Sequence, residues 1–347
     1  YPNFTGLDDT STAWADCVRP YSVGTQPDTD GVGIFNGGGS DLTQTVSGGG
    51  RAIALQLHGK QVRSKTAGYQ TATVKANIQA MFDSWLVDYT SNVAPAMAAG
   101  TQAAPGVPGW VDNRELNAKG QELDQFFAKG LIGALCVDQI ANKYLAGCYN
   151  NSSNYDNETR DPAEDNGATE KEHKFDEGYG YLFGLASDYS NPTDYNDNDV
   201  LLAKYTAKVD GAQEPGIYDE IFTAFKRGRQ AIVDGNDDVL DTEINIVRNA
   251  ISRVVVYKSV SYLRDAANEL EAEEVDMAEY FHSLSEGHGF ILSLQFTYGP
   301  NGSPFYTNSE VDAMFDVLLA GNGYWDRTPE ELRQMANDIE ASTGVTQ

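Results

Sequence analysis

Long stretches of this chain space their apolar residues three and four positions apart, which is the periodicity of an amphipathic helix. In the first half these stretches are RAIALQLHGKQVR, VKANIQAMFDSWLVDYTSNV and NAKGQELDQFFAKGLIGALCVDQIANKYLAG. In the second half they are YDEIFTAFKRGRQAIVDG, DTEINIVRNAISRVVVYKSVSYLRDAANELEAEE and VDMAEYFHSLSEGHGFILSLQF. Runs of this length exceed ordinary strands, even where they are β-branched. The sequence therefore predicts an all-α helical bundle, with the last three stretches as consecutive antiparallel helices.

Segments rich in Gly, Asp, Asn and Ser interrupt this helical pattern, because these residues favour turns. Residues 1–48 show little periodicity, and we expect them to form an extended, loop-rich lead-in. Residues 49–347 then make up the helical-bundle domain, with two bundled halves that meet near residues 151–168 in the polar stretch YNNSSNYDNETRDPAEDNGATE. A further interruption, AAGTQAAPGVPGWVDN, is predicted to be a plain loop.

The starts of several helices are marked by capping residues, whose side chains accept hydrogen bonds from the first free backbone N–H groups. Thr169, followed closely by two glutamates, predicts a helix that begins near residue 170. Asn308 or Ser309 is predicted to cap the segment NSEVDAMFDVLLAG. Thr328, followed by proline, is predicted to cap the last helix.

The charge of the chain restricts its partners. Its 51 acidic and 24 basic residues give a formal net charge of −27, which would repel nucleic acid and anionic lipid surfaces, so neither is an expected partner. No stretch contains the roughly 20 apolar residues that a transmembrane helix requires. The chain starts at Tyr1 with a polar segment, as a mature product without its export signal would, so we expect a periplasmic, extracellular or outer-membrane-associated location.

The cysteines do not indicate a disulfide framework. Cys17, Cys136 and Cys148 are odd in number and lack the C-x-x-C spacing of a cysteine zinc site. Cys136 lies in the apolar run LIGALCVDQIA. We therefore expect its thiol to be buried and to pack as a small hydrophobic group.

Two of the four histidines precede a glutamate by four residues: His173 pairs with Glu177, and His282 pairs with Glu286. Positions i and i+4 share one face of a helix, so each pair presents an imidazole beside a carboxylate. On facing helices the four side chains would bind one transition-metal ion, with iron as the first choice and zinc or copper as alternatives. The competing interpretation is an ordinary polar contact, in which each imidazole is hydrogen-bonded to its carboxylate.

Other polar residues are weaker candidates. Asp176 and His288 lie near the pairs and could support the ligands, although His288 is about 120° around the helix from His282 and is a poor ligand itself. Asp28 and Asp30 in PDTDG could contribute to a calcium site. The other acidic loops lack the Gly and Glu that an EF-hand loop requires, so turn formation explains them without a metal.

Common catalytic motifs are absent from the sequence. It contains no G-x-S-x-G, no H-E-x-x-H and no G-x-x-x-x-G-K-[ST]. We therefore expect a binding protein rather than an enzyme. The 19 tyrosines, several of them in Asn- and Asp-rich loops, leave a carbohydrate-docking surface as an alternative.

Several segments resemble known families. FHSLSEGHGFI is similar to the H-x-L-S-E-x-x-G-F segment of imelysin-like proteins and of a related bacterial family of unknown function found among exported envelope proteins. Further segments that resemble the latter family are EHKFDEGYGYLFG, AKGLIGALCVDQIANKYL and VSGGGRAIALQ. The resemblance extends from about residue 46 to about residue 320.

This resemblance implies an imelysin-like, all-helical bundle that acts near iron or other metal acquisition in the bacterial envelope. Imelysins were named as peptidases and carry a G-x-H-x-x-E motif, which this chain lacks, so the resemblance does not extend to peptidase activity. The family pattern would carry over, as the polar centre of the fold, His173, Asp176, Glu177, His282 and Glu286.

The leading hypothesis is thus an exported protein that binds a metal ion or a metal complex. It would serve the acquisition or delivery of iron or another transition metal, and another envelope protein is a further candidate partner. The first alternative is a metal-dependent hydrolase of the same fold, with Glu177 or Glu286 as the general base. The second is a non-catalytic structural or carbohydrate-docking surface protein, in which the His–Glu pairs are internal hydrogen bonds.

Overall fold

The computed structural model describes residues 62–150, 154–160, 168–183 and 201–347. The predicted lead-in lies outside the described residues, together with Cys17 and the candidate calcium ligands Asp28 and Asp30. Most of the first predicted helix, RAIALQLHGKQVR, also lies outside them. Most of the described residues are helical and strands are almost absent among them, which confirms the predicted all-α class.

Helical segments account for most of the described residues up to residue 183. They are α1 (Val62–Lys65), α2 (Ala72–Asp88), a π-helical turn (Tyr89–Val93), α3 (Ala94–Ala98), α4 (Leu123–Leu131), a long π-helix (Ile132–Tyr144), α5 (Leu145–Cys148) and α6 (Glu170–Phe183). The α2–α3 and α4–α5 runs are each continuous through their π-helical part, so residues 62–150 contain two long helical rods.

A small β-hairpin replaces the plain loop predicted between these two rods. Strand β1 (Gly109–Val111) pairs antiparallel with strand β2 (Arg114–Leu116). Asp112 in the turn has φ 49, a left-handed conformation that two-residue hairpin turns require and that Asp tolerates. Strands of three residues are too short to show a period of two, so the loop prediction was wrong at this point.

The second half is a sequence of longer helices. They are α7 (Leu201–Asp210), α8 (Ile217–Asp234), α9 (Asp237–Glu271), α10 (Met277–Ser293), a 3₁₀ turn (Leu294–Phe296), α11 (Asn308–Leu318), a 3₁₀ turn (Gly323–Asp326) and α12 (Pro329–Thr343). The 35-residue α9 packs against α8 and α10, its neighbours in the predicted run of three helices, and also against α12, which was not predicted. No described helix is both long enough and apolar enough to span a membrane.

The two C-terminal helices begin with capping boxes. Thr328 caps α12, as predicted. Helix α11 is capped by Thr307 rather than by Asn308 or Ser309, because Thr307 exchanges hydrogen bonds with Glu310, the residue three positions on. The prediction of the helix was correct, and its cap lies one residue earlier.

The long π-helix lies in the core of the bundle, between α6 and α10. At 13 residues it far exceeds the single turn that π-helices usually form. Cys136 on this helix is fully buried, as predicted. Gly133 allows the contact with α10, because its N–H donates to Ser293 Oγ at 3.0 Å and an added Cβ would lie only 2.4 Å from Ser293 Cβ.

Candidate functional site

Helix α6 carries the first predicted pair. The helix begins at residue 170, as predicted, and its start is fixed by a reciprocal cap. Thr169 Oγ1 accepts from Glu172 N at 3.2 Å, and the Glu172 carboxylate accepts from Thr169 N at 2.8 Å. The helical register then brings His173 Nε2 to 2.8 Å from Glu177 Oε1. Here the two members of the pair are hydrogen-bonded to each other.

The carboxylate of this first pair is buried and lies beside an imidazole and an ammonium group. The Glu177 side chain is 1% exposed, and Lys174 Nζ lies 3.3 Å from its Oε1. Burial alone would raise the pKa of Glu177, but the His173 hydrogen bond and the Lys174 ammonium outweigh it and hold that pKa below its ordinary value. Glu177 is therefore an ionised carboxylate that is paired within the protein.

The π-helix lies against this pair. Gly178 allows the close approach, since an added Cβ would lie 3.3 Å from Tyr144 Cβ. Lys143 Nζ donates to Tyr144 Oη at 3.0 Å and lies 4.2 Å from the centre of that ring. Burial and the neighbouring Lys65 lower the pKa of Lys143 to about 7. The His173–Glu177 pair thus belongs to a packed polar layer between α6 and the π-helix.

Helix α10 carries the second predicted pair, and here the partners differ. His282 Nδ1 lies 2.6 Å from Glu122 Oε2, whereas His282 Nε2 is 3.9 Å from Glu286 Oε1, too far for a hydrogen bond. A carboxylate only accepts hydrogen bonds, so Nδ1 carries the proton that Glu122 binds. In the neutral imidazole this leaves the lone pair of Nε2 on the side of Glu286.

Glu122 is held in place from three directions. It is the residue immediately before α4, and its backbone N–H donates to Ser285 Oγ on α10 at 3.0 Å. Its Oε1 lies 3.6 Å from Arg114 Nη1 on β2. Neither Glu122 nor Arg114 was predicted from the sequence as part of the site. Since 160 residues separate Glu122 from His282, no local pattern could have indicated the contact.

Glu286 pairs with a cation from α4. Lys129 Nζ lies 2.7 Å from Glu286 Oε1, and Tyr205 Oη donates to the same oxygen at 3.1 Å. Burial opposes ionisation, but the Lys129 ammonium and a Tyr262 hydrogen bond prevail and lower the pKa of Glu286 to about 2. Gly289 allows α4 to approach α10 closely enough for Lys129 to reach Glu286. A side chain at this position would collide with Lys129, because its Cβ would lie 2.5 Å from Lys129 Cβ.

The second pair opens onto a cleft of about 460 Å³ between α7, α9 and α10. Its lining is mainly charged and aromatic and consists of Lys204, Tyr205, Lys208, Tyr262, Asp265, Asn268, Glu269, Glu279, His282, Ser283 and Glu286. The His282 side chain is 20% exposed and that of Glu286 is 9% exposed. Both side chains can therefore meet a small polar ligand that enters the cleft.

The two pairs lie in different surroundings. Helix α6 packs mainly against the π-helix, α5 and α8, whereas α10 packs mainly against α4 and α9. His173 and Lys174 contact Glu177, whereas His282 contacts Glu122 and Lys129 contacts Glu286. No group of three or more His, Cys, Asp or Glu side chains in the described part of the chain is arranged to hold a metal ion.

Asp176 and His288, the two candidate supporting residues, contact other parts of the helical bundle. Asp176 Oδ1 accepts from Arg229 Nε on α8 at 2.9 Å. His288 is stacked between the rings of Phe126 and Phe315, each 4.0 Å away between centroids. Burial lowers the pKa of His288 to about 3, so this histidine is a neutral part of the aromatic core.

A family model described as a domain of unknown function (DUF4856) matches residues 46–346. This range includes both His–Glu pairs and the cleft beside α10. No curated protein and no solved structure matches the chain.

Proposed function

The chain belongs to the DUF4856 family, and we propose that it is a metal-binding protein whose site is the cleft beside His282 and Glu286. The orientation of His282 carries this proposal. Histidines that bind metals usually donate their other ring N–H to a carboxylate or carbonyl group, which fixes the tautomer and raises the basicity of the ligating nitrogen. Glu122 would perform that role here, at 2.6 Å from Nδ1, and leave Nε2 for the ion.

Glu286 would supply the second ligand. Metal–nitrogen and metal–oxygen bonds are each about 2.1 Å long, so an ion bound to two donors 3.9 Å apart would have a bond angle of roughly 140°, wider than a tetrahedral angle. A side-chain movement of about 1 Å or less would bring the two donors to the spacing of a tetrahedral or octahedral site. One imidazole and one carboxylate suit iron, zinc or copper better than calcium.

Two protein ligands leave the remaining positions of the ion to water or to a chelator that arrives with it. Lys204 and Lys208 line the same cleft and could contact anionic groups of such a chelator. The cargo would then be a metal ion or a metal complex. The resemblance of FHSLSEGHGFI to imelysin-like proteins supports a role in iron acquisition or delivery by an exported envelope protein.

The test is to titrate the purified full chain with Zn²⁺, a redox-inert probe, and to measure bound iron and zinc by elemental analysis. The expected result is about one equivalent of metal, lost in His282→Gln and retained in His173→Gln. The second variant is the matched control, because it removes the imidazole of the other pair. Equal metal binding by both variants, or none by the unmodified chain, would exclude the proposal.

A hydrolase is the second candidate, because the same geometry suits a general base. An imidazole held by a carboxylate through Nδ1, with Nε2 available, is the arrangement that activates a nucleophile or a water molecule. Hydrolysis of a simple ester or peptide by the unmodified chain, lost in His282→Gln and retained in His173→Gln, would favour catalysis over transport. Metal binding with no turnover would favour transport.

A further inference from the structure

A second concave surface lies between α11 and α12. This groove has a volume of about 690 Å³ and shares no lining residue with the α10 cleft. Its floor is apolar and includes Ala313, Met314, Val317 and Met335. Val317 is 45% exposed although it is a large hydrophobic residue, and Met335 is 8% exposed and belongs to the core. The groove is therefore an opening in the surface through which core side chains can be reached.

The edges of the groove are acidic. Four carboxylates line it, those of Glu310, Glu330, Glu331 and Asp338, and no Lys or Arg is among the described residues that line it. Two of them are held by capping boxes. Glu310 Oε2 accepts from the backbone N–H of its cap at 2.7 Å, and Glu331 Oε2 does the same at 3.0 Å. Glu331 Oε1 also lies 3.4 Å from Arg327 Nη1, which partly offsets its charge, whereas the capping box holds the Glu310 carboxylate at the edge of the apolar floor.

We propose that this groove binds a basic amphipathic helix of a partner protein. Such a helix presents apolar residues at i, i+3, i+4 and i+7 and cationic residues on its flanks, which matches an apolar floor with carboxylates on both sides. Methionine side chains are flexible and polarisable, so Met314 and Met335 can adapt to the side chains that enter. Charge complementarity would also accelerate association with a cationic segment.

Residues 1–48 and a whole second copy of the chain are poor occupants of the groove. Residues 1–48, which lie outside the described residues, contain six Asp and one Arg, so their charge would repel the four carboxylates. A second copy of the chain brings a net charge of −27. Neither residues 1–48 nor a second copy as a whole has the complementary charge, whereas a basic amphipathic segment of a partner protein does.

The experiment measures binding of a fluorescent helical peptide, with Leu on one face and Lys on the other, to the full chain. Val317→Lys removes apolar surface from the floor and adds a repelling charge, and we expect it to weaken binding about tenfold or more. Val239→Lys is the matched control, because Val239 is 40% exposed on α9 and does not line the groove. The control should bind the peptide like the unmodified chain.

A second pair of variants tests the acidic edges. Glu330→Gln with Asp338→Asn should weaken binding about fivefold at low salt, whereas Asp312→Asn with Asp316→Asn should change it less than twofold. The control carboxylates are exposed on α11 and do not line the groove. Equal peptide affinity in Val317→Lys and Val239→Lys would overturn the proposal. Equal binding of a non-amphipathic peptide with the same number of Lys residues would also overturn it, because binding would then be a general effect of net charge.

Discussion

The His173–Glu177 pair on α6 and the His282–Glu286 pair on α10 have the same spacing in the sequence but different partners in the fold. The first pair is closed on itself, with 2.8 Å between His173 Nε2 and Glu177 Oε1. The second is open, since His282 and Glu286 are 3.9 Å apart and each is held by a residue near or on α4. The spacing places two side chains on one face, and the neighbouring helices decide whether they contact each other.

This difference separates a structural role from a binding role. In the closed pair His173 Nε2 is hydrogen-bonded to the Glu177 carboxylate. In the open pair Glu122 binds Nδ1 and leaves Nε2 directed to the side of Glu286, at the edge of a cleft. A ligand can use the second arrangement without breaking the hydrogen bond that orients the imidazole.

The largest expected effect is on stability, at the closed pair. Glu177→Ala should lower the free energy of unfolding by about 3 kcal/mol, because it leaves His173 and Lys174 without the buried carboxylate that they share. Zn²⁺ binding should not change. Urea denaturation measures the stability difference, and Glu274→Ala, in an exposed loop, should stay within about 0.5 kcal/mol of the unmodified chain. A loss as small as that of the control would show that the closed pair is not structural.

The next effect is on metal affinity, at the open pair. Glu122→Gln should weaken Zn²⁺ binding by about 10- to 100-fold, because the amide is a weaker acceptor for Nδ1–H and lowers the basicity of Nε2. Calorimetric titration measures the change. Glu177→Gln is the matched variant of the closed pair and should bind Zn²⁺ normally. If both variants lose affinity to the same extent, the distinction between the pairs fails.

A gain of affinity should follow from Lys129→Met. The Lys129 ammonium lies 2.7 Å from Glu286 Oε1, where it competes with an incoming cation for the same oxygen. Its removal should strengthen Zn²⁺ binding about tenfold, which corresponds to roughly 1.4 kcal/mol. Competition with a chromophoric chelator can measure this gain. A weaker affinity in Lys129→Met would mean that Lys129 helps to hold Glu286 in the binding position.

The smallest effects are expected at the helix starts that place the pairs. Thr169→Ala before α6 and Asp276→Ala before α10 should each lower the free energy of unfolding by about 1 kcal/mol, the usual value of a side-chain cap. Thermal denaturation of both variants measures the two losses. Neither change should alter Zn²⁺ binding. An altered metal affinity in Asp276→Ala alone would show that the start of α10 also positions His282.

Much of the fold could be predicted because helices are local structures. The caps at Thr169 and Thr328 and the long helix through the β-branched run IVRNAISRVVVYKSV were predicted correctly from spacing and capping. The hairpin was missed because its strands are only three residues long. The 13-residue π-helix was also missed, since the sequence pattern of a π-helix resembles that of an ordinary buried helix.

By itself the sequence determined that His173 and His282 each share a helix face with a glutamate, because that relation depends only on the 3.6-residue turn. Only the tertiary structure decided which atoms meet. Glu122 reaches His282 across 160 positions, and the close contact at Gly289 brings Lys129 to Glu286. Contacts of this kind depend on how whole helices pack against each other, so side chains from distant parts of the chain decide whether a pair is closed or available to a ligand.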